Sequence, residues 1–284
     1  MVAAARRVLI FNRGSGSLTA EARTRLLNAF SDHTPVAVEP GQDLEEAYGS
    51  CVTTDDAQVV VAGGDGTVEA IARCLAGTSR RLGLIPLGTY NNFARALALP
   101  LELDGAVEVV KTGRARRVTI GWVEDRPFLE AATIGVFGDM LEFGEAAKEL
   151  HYGQLLGRIV KLARPESFQY VIRGDVHLTG EAASLVFANT PTIGALMELA
   201  HTTPEDPYLE LEVISHGARR RVLKRLLLAV VRRGDRPGKR VRVRDVRVAT
   251  EPPVSVYADA FEAGESPVSI RADARGLNVI LPAK

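Results

Sequence analysis

The sequence predicts two domains: an α/β domain with a mostly parallel sheet, followed by a β-sandwich. In the first part of the chain, apolar runs typical of strands alternate with helical patterns, which favours a parallel sheet with helices on both faces. Near Gly121 the pattern changes to short apolar or alternating runs separated by turn residues, as in a sandwich. We therefore expect the α/β domain over residues 1–121 and the sandwich over 122–276. Residues 277–284 contain a last predicted strand, for which a return to the first domain stays open.

In the α/β domain, most predicted strands end in a loop that leads into a helical pattern. Asp43, with Glu46 three residues later, resembles a capping box and predicts a helix start. A later helix carries apolar residues at the i, i+3, i+4 and i+7 positions Val68, Ile71, Ala72 and Leu75. The other predicted elements are strands at 8–11, 36–38, 59–62 and 81–86, and helices over about 18–30, to about 99, and from an Asp104 cap to about 113.

The second domain has strand patterns that are shorter and closer together. A helical stretch at about 144–162 interrupts them. The predicted strands are 118–123, 128–134, 168–172, 183–188, 208–214, 240–248, 255–257 and 277–281.

The central feature of the first domain is a valine-rich strand that ends in a glycine loop. The loop is Gly63-Gly64-Asp65-Gly66-Thr67, and a helix follows it. Glycine lets backbone N–H groups approach a ligand closely, and the first turn of a helix adds unpaired N–H donors. Together these features predict a phosphate cradle. Asp65 would then act through a divalent cation or accept a proton; the alternative is a tight turn with Asp65 as a helix cap.

Small or polar loops follow three of the predicted strands, at 12–17, 63–67 and 88–92. Ligands of parallel sheets bind beyond the carboxyl ends of the strands, so these loops are expected to converge on a polyphosphate. The pattern is neither a Walker A loop, which needs Gly-Lys-Ser/Thr, nor the Rossmann G-x-G-x-x-G.

The bulk composition is that of a globular protein. The chain has 284 residues, of which 46% are hydrophobic and 25% charged, with no net charge. Cys51 and Cys74 have no metal-ligand spacing and form no disulfide framework. The first apolar run is too short for a signal peptide, and no run is long enough to cross a bilayer. We expect a cytoplasmic protein.

Positive charge is concentrated late in the chain. Residues 219–247 contain thirteen Arg and Lys against two Asp, and residues 218–231 form a predicted basic amphipathic helix. A solvated face over a packed helix is one interpretation. We favour binding to an anionic membrane surface, peripheral at the inner membrane, because each nearby Lys or Arg contributes about 1 kcal/mol there. Few aromatic residues lie nearby to stack on bases, so nucleic acid is not expected.

Several segments resemble the diacylglycerol kinase catalytic-domain family, which includes bacterial lipid kinases and sphingosine kinases. The loop at 63–67 looks like its GGDGT nucleotide loop. Residues 86–95, PLGTYNNFAR, look like its PLGTxNDFAR segment, with Asn92 where Asp is common. Residues 12–16, NRGSG, look like its NPxSG loop with Arg13 in place of proline, and residues 128–135 are similar to the opening of its second domain. The resemblance covers nearly the whole chain.

The resemblance implies ATP as cofactor, Mg²⁺ as its metal, and transfer of the γ-phosphate to a lipid hydroxyl. Asp65 would handle magnesium or the transferred phosphate. A metal site is implied at the turn 203–210, with the Asp206 side chain and the carbonyls of Thr203 and Tyr208 as ligands. The implied nucleotide-binding residues are Asn12, Gly14, Ser15, Gly16, Gly63, Gly64, Asp65, Gly66, Thr67, Gly88, Thr89 and Asn91.

The clearest departure from the family concerns its catalytic Glu. An ungapped match places this position at Phe261, two residues after Asp259. Three alternatives remain: Glu262 supplies the base, Glu265 supplies it after a local shift, or the base is absent. We select Glu262, the residue next to the family's position, as the catalytic base.

The first functional hypothesis is therefore a lipid kinase with a diacylglycerol-like acceptor, acting in phospholipid biosynthesis. One alternative is a catalytically degenerate regulator that binds nucleotide and lipid. Another is an NAD-kinase-like enzyme, which the PLGTxN segment and the basic C-terminal half oppose. The lipid and the oligomeric state stay open, with a homodimer as one alternative.

Overall fold

The computed structural model describes residues 5–15, 18–39, 41–49, 53–135, 167–193, 197–198, 200–214, 239–259 and 261–283. The chain divides into two compact units. Unit 1 contains the described residues of Met1–Ile120, Thr203–Asp206 and Ala274–Lys284, and unit 2 contains those of Gly121–Thr202 and Pro207–Asp273.

Unit 1 is built from strands that alternate with helices. Its strands are β1 (Ala5–Asn12), β2 (Thr34–Val38), β3 (Thr53–Gly63), β4 (Arg81–Pro86), the start of β5 (Arg114–Val123) and the end of β18 (Val268–Leu281). Its helices are α1 (Ala20–Ala29), α2 (Leu44–Gly49), α3 (Asp65–Leu75), α4 (Asn92–Ala96) and α5 (Leu103–Thr112). The strands pair in parallel in the order β2-β1-β3-β4-β18. The predicted α/β fold with a mostly parallel sheet is confirmed.

The central strands of unit 1 are buried on both faces. Successive side chains of a strand point to opposite sides of the sheet, so neighbouring residues report on the two faces. On one face, Val60 packs in a cluster with Leu26 of α1 and Val110 of α5. Its neighbours Val59 and Val61, on the other face, are also fully buried. Helix α3 packs against β3 and β4 and buries the predicted apolar stripe of Val68, Ile71, Ala72 and Leu75.

Two helix predictions of unit 1 were wrong in their ends. Helix α4 stops at Ala96 rather than near residue 99, because Ala98 takes a left-handed conformation (φ 53°) just before Pro100. Glu102 is the N-cap of α5, whereas Asp104 lies in its first turn and forms an ion pair with Arg25. The predicted end of α5 at Gly113 is confirmed, as is the Asp43 cap, whose Oδ1 accepts the N–H of Glu45 at 2.8 Å.

Unit 2 consists of short strands. They are the end of β5, β6 (Arg126–Phe128), β7 (Ala131–Gly135), β8 (Phe168–Gly174), β9 (Leu178–Ala182), β10 (Ser184–Ala188), β11 (Thr192–Ile193), β12 (Met197–Glu198), β13 (Leu209–Ile214), β14 (Lys239–Val243), β15 (Asp245–Glu251), β16 (Ser255–Ala258), β17 (Phe261–Glu265) and the start of β18. One sheet has six antiparallel strands in the order β14-β13-β10-β7-β16-β17. In the other sheet, β18, β15, β8 and β9 pair antiparallel in that order.

A hydrophobic core lies between the two sheets of unit 2, and a second buried cluster contains Ala131, Val186 and Ile193. Ile134, Phe187 and Leu211 of the six-stranded sheet share the core between the sheets with Ile172 and Ile270 of the other sheet. The predicted β-sandwich is therefore confirmed.

Several strand predictions for unit 2 needed correction. The predicted strand 128–134 is two strands, because the N–H groups of Leu129 and Glu130 bind the Asp259 carboxylate instead of a neighbouring strand. The predicted strand 240–248 is divided at Arg244, whose N–H donates to Asp175 Oδ2 at 2.7 Å. Strand β17 was missed, because its mainly polar sequence shows no apolar alternation. Strands β9, β11 and β12 were also missed, and β18 begins at Val268 rather than near residue 277.

Some predictions concern residues outside the described ranges: the helices at 144–162 and 218–231, most of the basic segment, Gly16 and Cys51. Among the described helices, none combines the length and the apolar character that crossing a bilayer requires.

A buried histidine in unit 1 makes the stability of the fold dependent on pH. His33 Nδ1 lies 2.8 Å from Asp32 Oδ1, and its ring packs edge-on against Phe30. Burial lowers the pKa of His33, and the Asp32 carboxylate opposes this shift only in part. Below about pH 6.5 the unfolded chain therefore binds more protons at this histidine than the folded chain does, so stability falls as pH falls.

We expect the His33→Gln variant to lose less stability than the wild type when the pH drops from about 7.5 to about 5.5. Urea unfolding at both pH values measures the difference. His177→Gln, a change at an exposed histidine, is the control and should keep the wild-type slope. Equal slopes for all three proteins would contradict the assignment to His33.

Candidate functional site

The N-terminus of α3 is the centre of the candidate site. Gly64 is the N-cap and offers no side-chain cap, so Asp65, Gly66 and Thr67 already lie in the first turn of the helix. The N–H groups of Thr67 and Val68 both donate to the Gly64 carbonyl at 3.0 Å. The first N–H groups of a helix have no partner within the helix, and the positive end of the helix dipole lies there. This terminus is therefore suited to an anionic ligand.

Glycine is required where the second and third loops meet. A Cβ on Gly88 would lie 2.5 Å from the Cα of Gly64 and 2.8 Å from Asn91 Oδ1, so no larger residue fits there without a shift. The Leu87 N–H donates to the Gly63 carbonyl at 2.8 Å, which joins the same two loops. A Cβ on Gly66 would meet nothing within 4 Å. The helix terminus is thus open at Gly66 and tightly packed at Gly64.

The Asp65 carboxylate connects α3 to α4. Its Oδ2 accepts the N–H of Asn91 and its Oδ1 accepts the N–H of Asn92, both at 2.8 Å. Asn91 itself is in the left-handed conformation (φ 52°), and its amide forms two hydrogen bonds with the backbone of Gly88. Asp65 therefore has the cap geometry that the sequence left open as an alternative, although it caps α4 rather than its own helix.

The first loop is tied to the second by a side-chain hydrogen bond. Asn12 Nδ2 donates to Thr67 Oγ1 at 3.2 Å, while Asn12 Oδ1 accepts the N–H of Gly14 at 2.8 Å. The Ser15 N–H donates to the Asn12 carbonyl. Arg13 donates its N–H to the Val38 carbonyl at 2.9 Å, a bond that proline at this position would lack. The structure thus joins Asn12 to the 63–67 loop, and Gly14 and Ser15 are bonded to Asn12.

These loops fit a nucleotide phosphate by their chemistry. Three strand ends present glycine backbone, an uncapped helix terminus and the Thr67 hydroxyl, which accepts from Asn12 and so has its own proton to donate. Thr89, also predicted for the nucleotide, is exposed in the loop after Gly88. The assignment of individual residues to ATP stays a prediction.

The loops fit magnesium only as an ion that is held largely by the nucleotide. No cluster of three or more His, Cys, Asp or Glu occurs among the described residues. Mg²⁺ commonly uses one or two carboxylates together with substrate phosphates and water. Asp65, in the first turn of α3, is the carboxylate of these loops that could serve such an ion.

The turn predicted to bind a structural metal is closed by its own hydrogen bonds. Asp206 Oδ2 accepts from the Thr203 N–H at 2.9 Å and from Thr203 Oγ1 at 3.2 Å. The Thr203 carbonyl in turn accepts the Asp206 N–H. The Tyr208 carbonyl accepts a hydrogen bond from the Thr202 hydroxyl at 3.5 Å. All three predicted ligand groups thus accept hydrogen bonds from neighbouring residues, and the metal site stays a prediction.

The position of the family's catalytic Glu lies in the β16–β17 hairpin of unit 2. Asp259, at the turn, is buried and accepts N–H bonds from Leu129 and Glu130 at 2.8 Å and from Ala131 at 3.2 Å. Phe261 begins β17 and is 45% exposed, and Glu262 follows it, also exposed. The sequence analysis assigned no role to Asp259, because an aspartate before a turn does not indicate that its carboxylate accepts three backbone N–H groups.

Comparison with known proteins identifies the family. The diacylglycerol kinase catalytic domain matches residues 6–123, and the YegS C-terminal NAD kinase beta sandwich-like domain matches residues 139–281. The chain belongs to the diacylglycerol kinase family of lipid kinases. The predicted family is thereby confirmed.

Individual relatives agree with this assignment. An uncharacterized protein of Synechocystis is 26% identical over 80% of this chain, which spans 55% of that protein. A protein of Mycobacterium tuberculosis named diacylglycerol kinase is 26% identical over 91% of this chain and 87% of its own length. A diacylglycerol kinase structure from Bacillus anthracis has a TM-score of 0.73 at 21% identity, covering 98% of this chain and 97% of the other, and shows the shared fold.

Proposed function

We propose that this protein is an ATP-dependent lipid kinase that transfers the γ-phosphate to the hydroxyl of a diacylglycerol-like lipid. The observation that supports it most is the joining of three strand-end loops around the N-terminus of α3, through Asp65 and Asn12. The family and the name of the M. tuberculosis relative support the lipid acceptor. Catalysis of phosphoryl transfer is mostly positioning and charge stabilisation, which such loops can supply.

In this proposal each loop has one task. The first-turn N–H groups of α3 bind phosphate oxygens at the opening beside Gly66, and Thr67 donates its hydroxyl proton to another. Asp65 holds the Asn91–Asn92 backbone in place and contributes an oxygen ligand for the metal. Magnesium bound with ATP would neutralise the charge that develops on the phosphates. Asn12 orients Thr67 by donating to its oxygen.

The proposal includes a peripheral location at an anionic membrane surface, where a lipid acceptor resides. The support is the excess of eleven positive charges in residues 219–247, most of which lie outside the described ranges. A homodimer is kept as an alternative assembly.

The decisive experiment follows labelled γ-phosphate from ATP and Mg²⁺ into a total lipid extract, with the protein in mild detergent. A labelled lipid of diacylglycerol class is the expected result. NAD as a parallel acceptor tests the NAD-kinase-like alternative, and we expect no label in it. The absence of any labelled lipid, with ATP binding intact by thermal shift, would contradict the proposal.

A second candidate function, a nucleotide-binding regulator without transfer activity, is favoured by one observation. Phe261 stands where the family has its base, on the same face of the sheet as the apolar residues Ala258 and Ala132. In such a protein, Phe261→Glu would restore the missing carboxylate. A gain of transfer of about 10²-fold or more in this variant, from a wild type near background, would support the regulator.

A further inference from the structure

Arginine occupies the position of the first loop at which the family has proline. The Arg13 N–H donates to the Val38 carbonyl at 2.9 Å. Asn12 already lies opposite Val38 in the parallel pairing of β1 and β2, so this bond holds the backbone of Arg13 beside the end of β2. Proline has no N–H and would not form it. The Arg13 side chain therefore extends from a backbone that is fixed at this point.

The side chain of Arg13 forms an exposed ion pair with the residue that follows β2. Its Nη1 lies 2.9 Å from Glu39 Oε1, and the two side chains are 45% and 57% exposed. In the part of the chain that the structure describes, Arg13 has no second carboxylate within ion-pair distance. Exposed ion pairs stabilise a fold little and are weakened by salt. Glu39 is therefore a partner that Arg13 can exchange for another anion at a small cost in free energy.

The register of the sheet places Arg13 level with the N-terminus of α3. Strands β1 and β3 are directly paired, and their parallel pairing ends with Phe11 opposite Ala62. Arg13 follows Phe11 by two residues, and Gly64, the N-cap of α3, follows Ala62 by two residues. Neighbouring strands lie about 4.8 Å apart, a distance that an arginine side chain can span. Arg13 thus leaves β1 beside the helix terminus that is proposed to bind phosphate.

The three strand-end loops contain a single cationic side chain. Residues 12–17, 63–67 and 88–92 include Arg13 as their one Lys or Arg, while Asp65 adds a negative charge. The glycine backbone of these loops offers N–H dipoles but no net charge, whereas a nucleoside triphosphate carries several negative charges. A guanidinium can donate two parallel N–H bonds to phosphate oxygens, and such charge-assisted bonds are roughly twice as strong as neutral ones. Arg13 is the residue of these loops that can neutralise phosphate charge directly.

We infer that Arg13 is a phosphate ligand of the nucleotide and that Glu39 is its partner in the unliganded protein. When the nucleotide binds, the guanidinium exchanges the Glu39 carboxylate for oxygens of the nucleotide phosphates. No covalent bond changes, because one ion pair replaces another. This role rests on the proposed function for its ligand, a nucleoside triphosphate. Proline, the family's residue at this position, has no side-chain donor with which to form the contact.

Calorimetric titration of the full chain with ATP and Mg²⁺ tests the contact. Arg13→Gln should weaken ATP binding about 10-fold or more at low salt, the loss expected when hydrogen bonds between charged groups are removed. The loss should shrink as the NaCl concentration rises, because salt screens the charges. The melting temperature without nucleotide should stay within about 2 °C of the wild type, since an exposed ion pair contributes little to stability. Wild-type ATP affinity in Arg13→Gln, or a loss that salt does not change, would overturn the contact.

Glu39→Gln tests the exchange of partners. Removing the carboxylate that holds Arg13 should strengthen ATP binding about 2–5-fold at low salt, because an exposed ion pair opposes binding by no more than that. In the Arg13→Gln background the same change should have no effect, since Glu39 then has no arginine to hold. Unchanged or weaker ATP binding in Glu39→Gln would overturn the exchange. An equal gain in both backgrounds would also overturn it, because Glu39 would then act on the phosphates by its own charge.

Arg25→Gln is the matched control. Arg25 forms an exposed ion pair with Asp104, so this variant removes the same charge from unit 1 outside the three loops. Its ATP affinity should stay within about 2-fold of the wild type. A loss equal to that of Arg13→Gln would attribute the effect to net charge and overturn the contact. If the wild type binds ATP through Arg13 but labels no lipid, the kinase function fails and the contact stands. If Arg13→Gln binds ATP as the wild type does and labels lipid, the contact fails and the kinase function stands.

Discussion

Replacing Asp65 with Asn is expected to lower phosphate transfer by at least about 10²-fold, the loss that a displacement near 1 Å in a reacting geometry produces. Both carboxylate oxygens of Asp65 accept backbone N–H groups, from Asn91 and Asn92. An amide has one acceptor oxygen, so its NH₂ group would face one of these N–H donors. The third loop would then shift relative to α3, and Gly88 would move with it through Asn91.

The same substitution should also lower thermal stability. Hydrogen bonds to charged groups contribute about 1.5–3 kcal/mol each, and one of the two would be lost. Thermal unfolding and transfer of labelled phosphate measure the two effects. Asp175→Asn is the matched control, because Asp175 also accepts a backbone N–H, that of Arg244, but lies in no nucleotide loop. Wild-type turnover in Asp65→Asn would contradict both the clamp and the metal role.

The parts of the fold that the sequence predicted well are those with strong local patterns. Strand β4 was predicted with its observed ends, because its apolar run begins after charged residues and ends at proline, and both mark the ends of the strand. The stripe of α3 and the Asp43 cap were likewise confirmed. Helix α4 was predicted too long, because the chain turns at Ala98 with a left-handed backbone conformation, and alanine does not indicate such a conformation.

The candidate site was predictable in its loops but not in its connections. Glycine and asparagine at strand ends indicated a phosphate site, and the structure does bring Asn12, Thr67 and the Gly88 loop together. The partners of Asp65 could not be predicted, because they depend on how two helices and their loops pack. The sequence alone therefore could not decide between a cap and a metal or proton role for Asp65.

The position of the family's catalytic Glu shows the limit of sequence reasoning most clearly. Counting residues placed Phe261 at the family position and left three alternatives: Glu262 as the base, Glu265 as the base, or no base. The face that each residue occupies depends on the register of β17 and on the bulge at Ala263. One extra residue in a strand moves every later side chain to the opposite face of the sheet. Nothing in the sequence indicates where such an extra residue occurs.

The contrast between Gly88 and Gly66 provides the second large prediction, because the two glycines have opposite surroundings. Gly88→Ala should abolish ATP binding and destabilise the fold by about 1–3 kcal/mol, since its methyl group would collide with the Gly64 backbone. Gly66→Ala should stabilise the unliganded fold by about 0.5–1 kcal/mol, because alanine is preferred in a helix and nothing lies within 4 Å of its Cβ.

The same Gly66 methyl group would, however, occupy the space through which a phosphate approaches the first turn of α3. We therefore expect Gly66→Ala to bind ATP at least about 10-fold more weakly while melting at a higher temperature than the wild type. Calorimetric titration with ATP and Mg²⁺, together with thermal unfolding without nucleotide, measures both quantities. If Gly66→Ala retained full ATP affinity, the phosphate would have to bind elsewhere than at this helix terminus. A phosphate cradle at Gly66 requires both a higher melting temperature and a weaker ATP affinity in Gly66→Ala. If the glycine were needed only for folding, the substitution would neither raise the melting temperature nor weaken ATP binding.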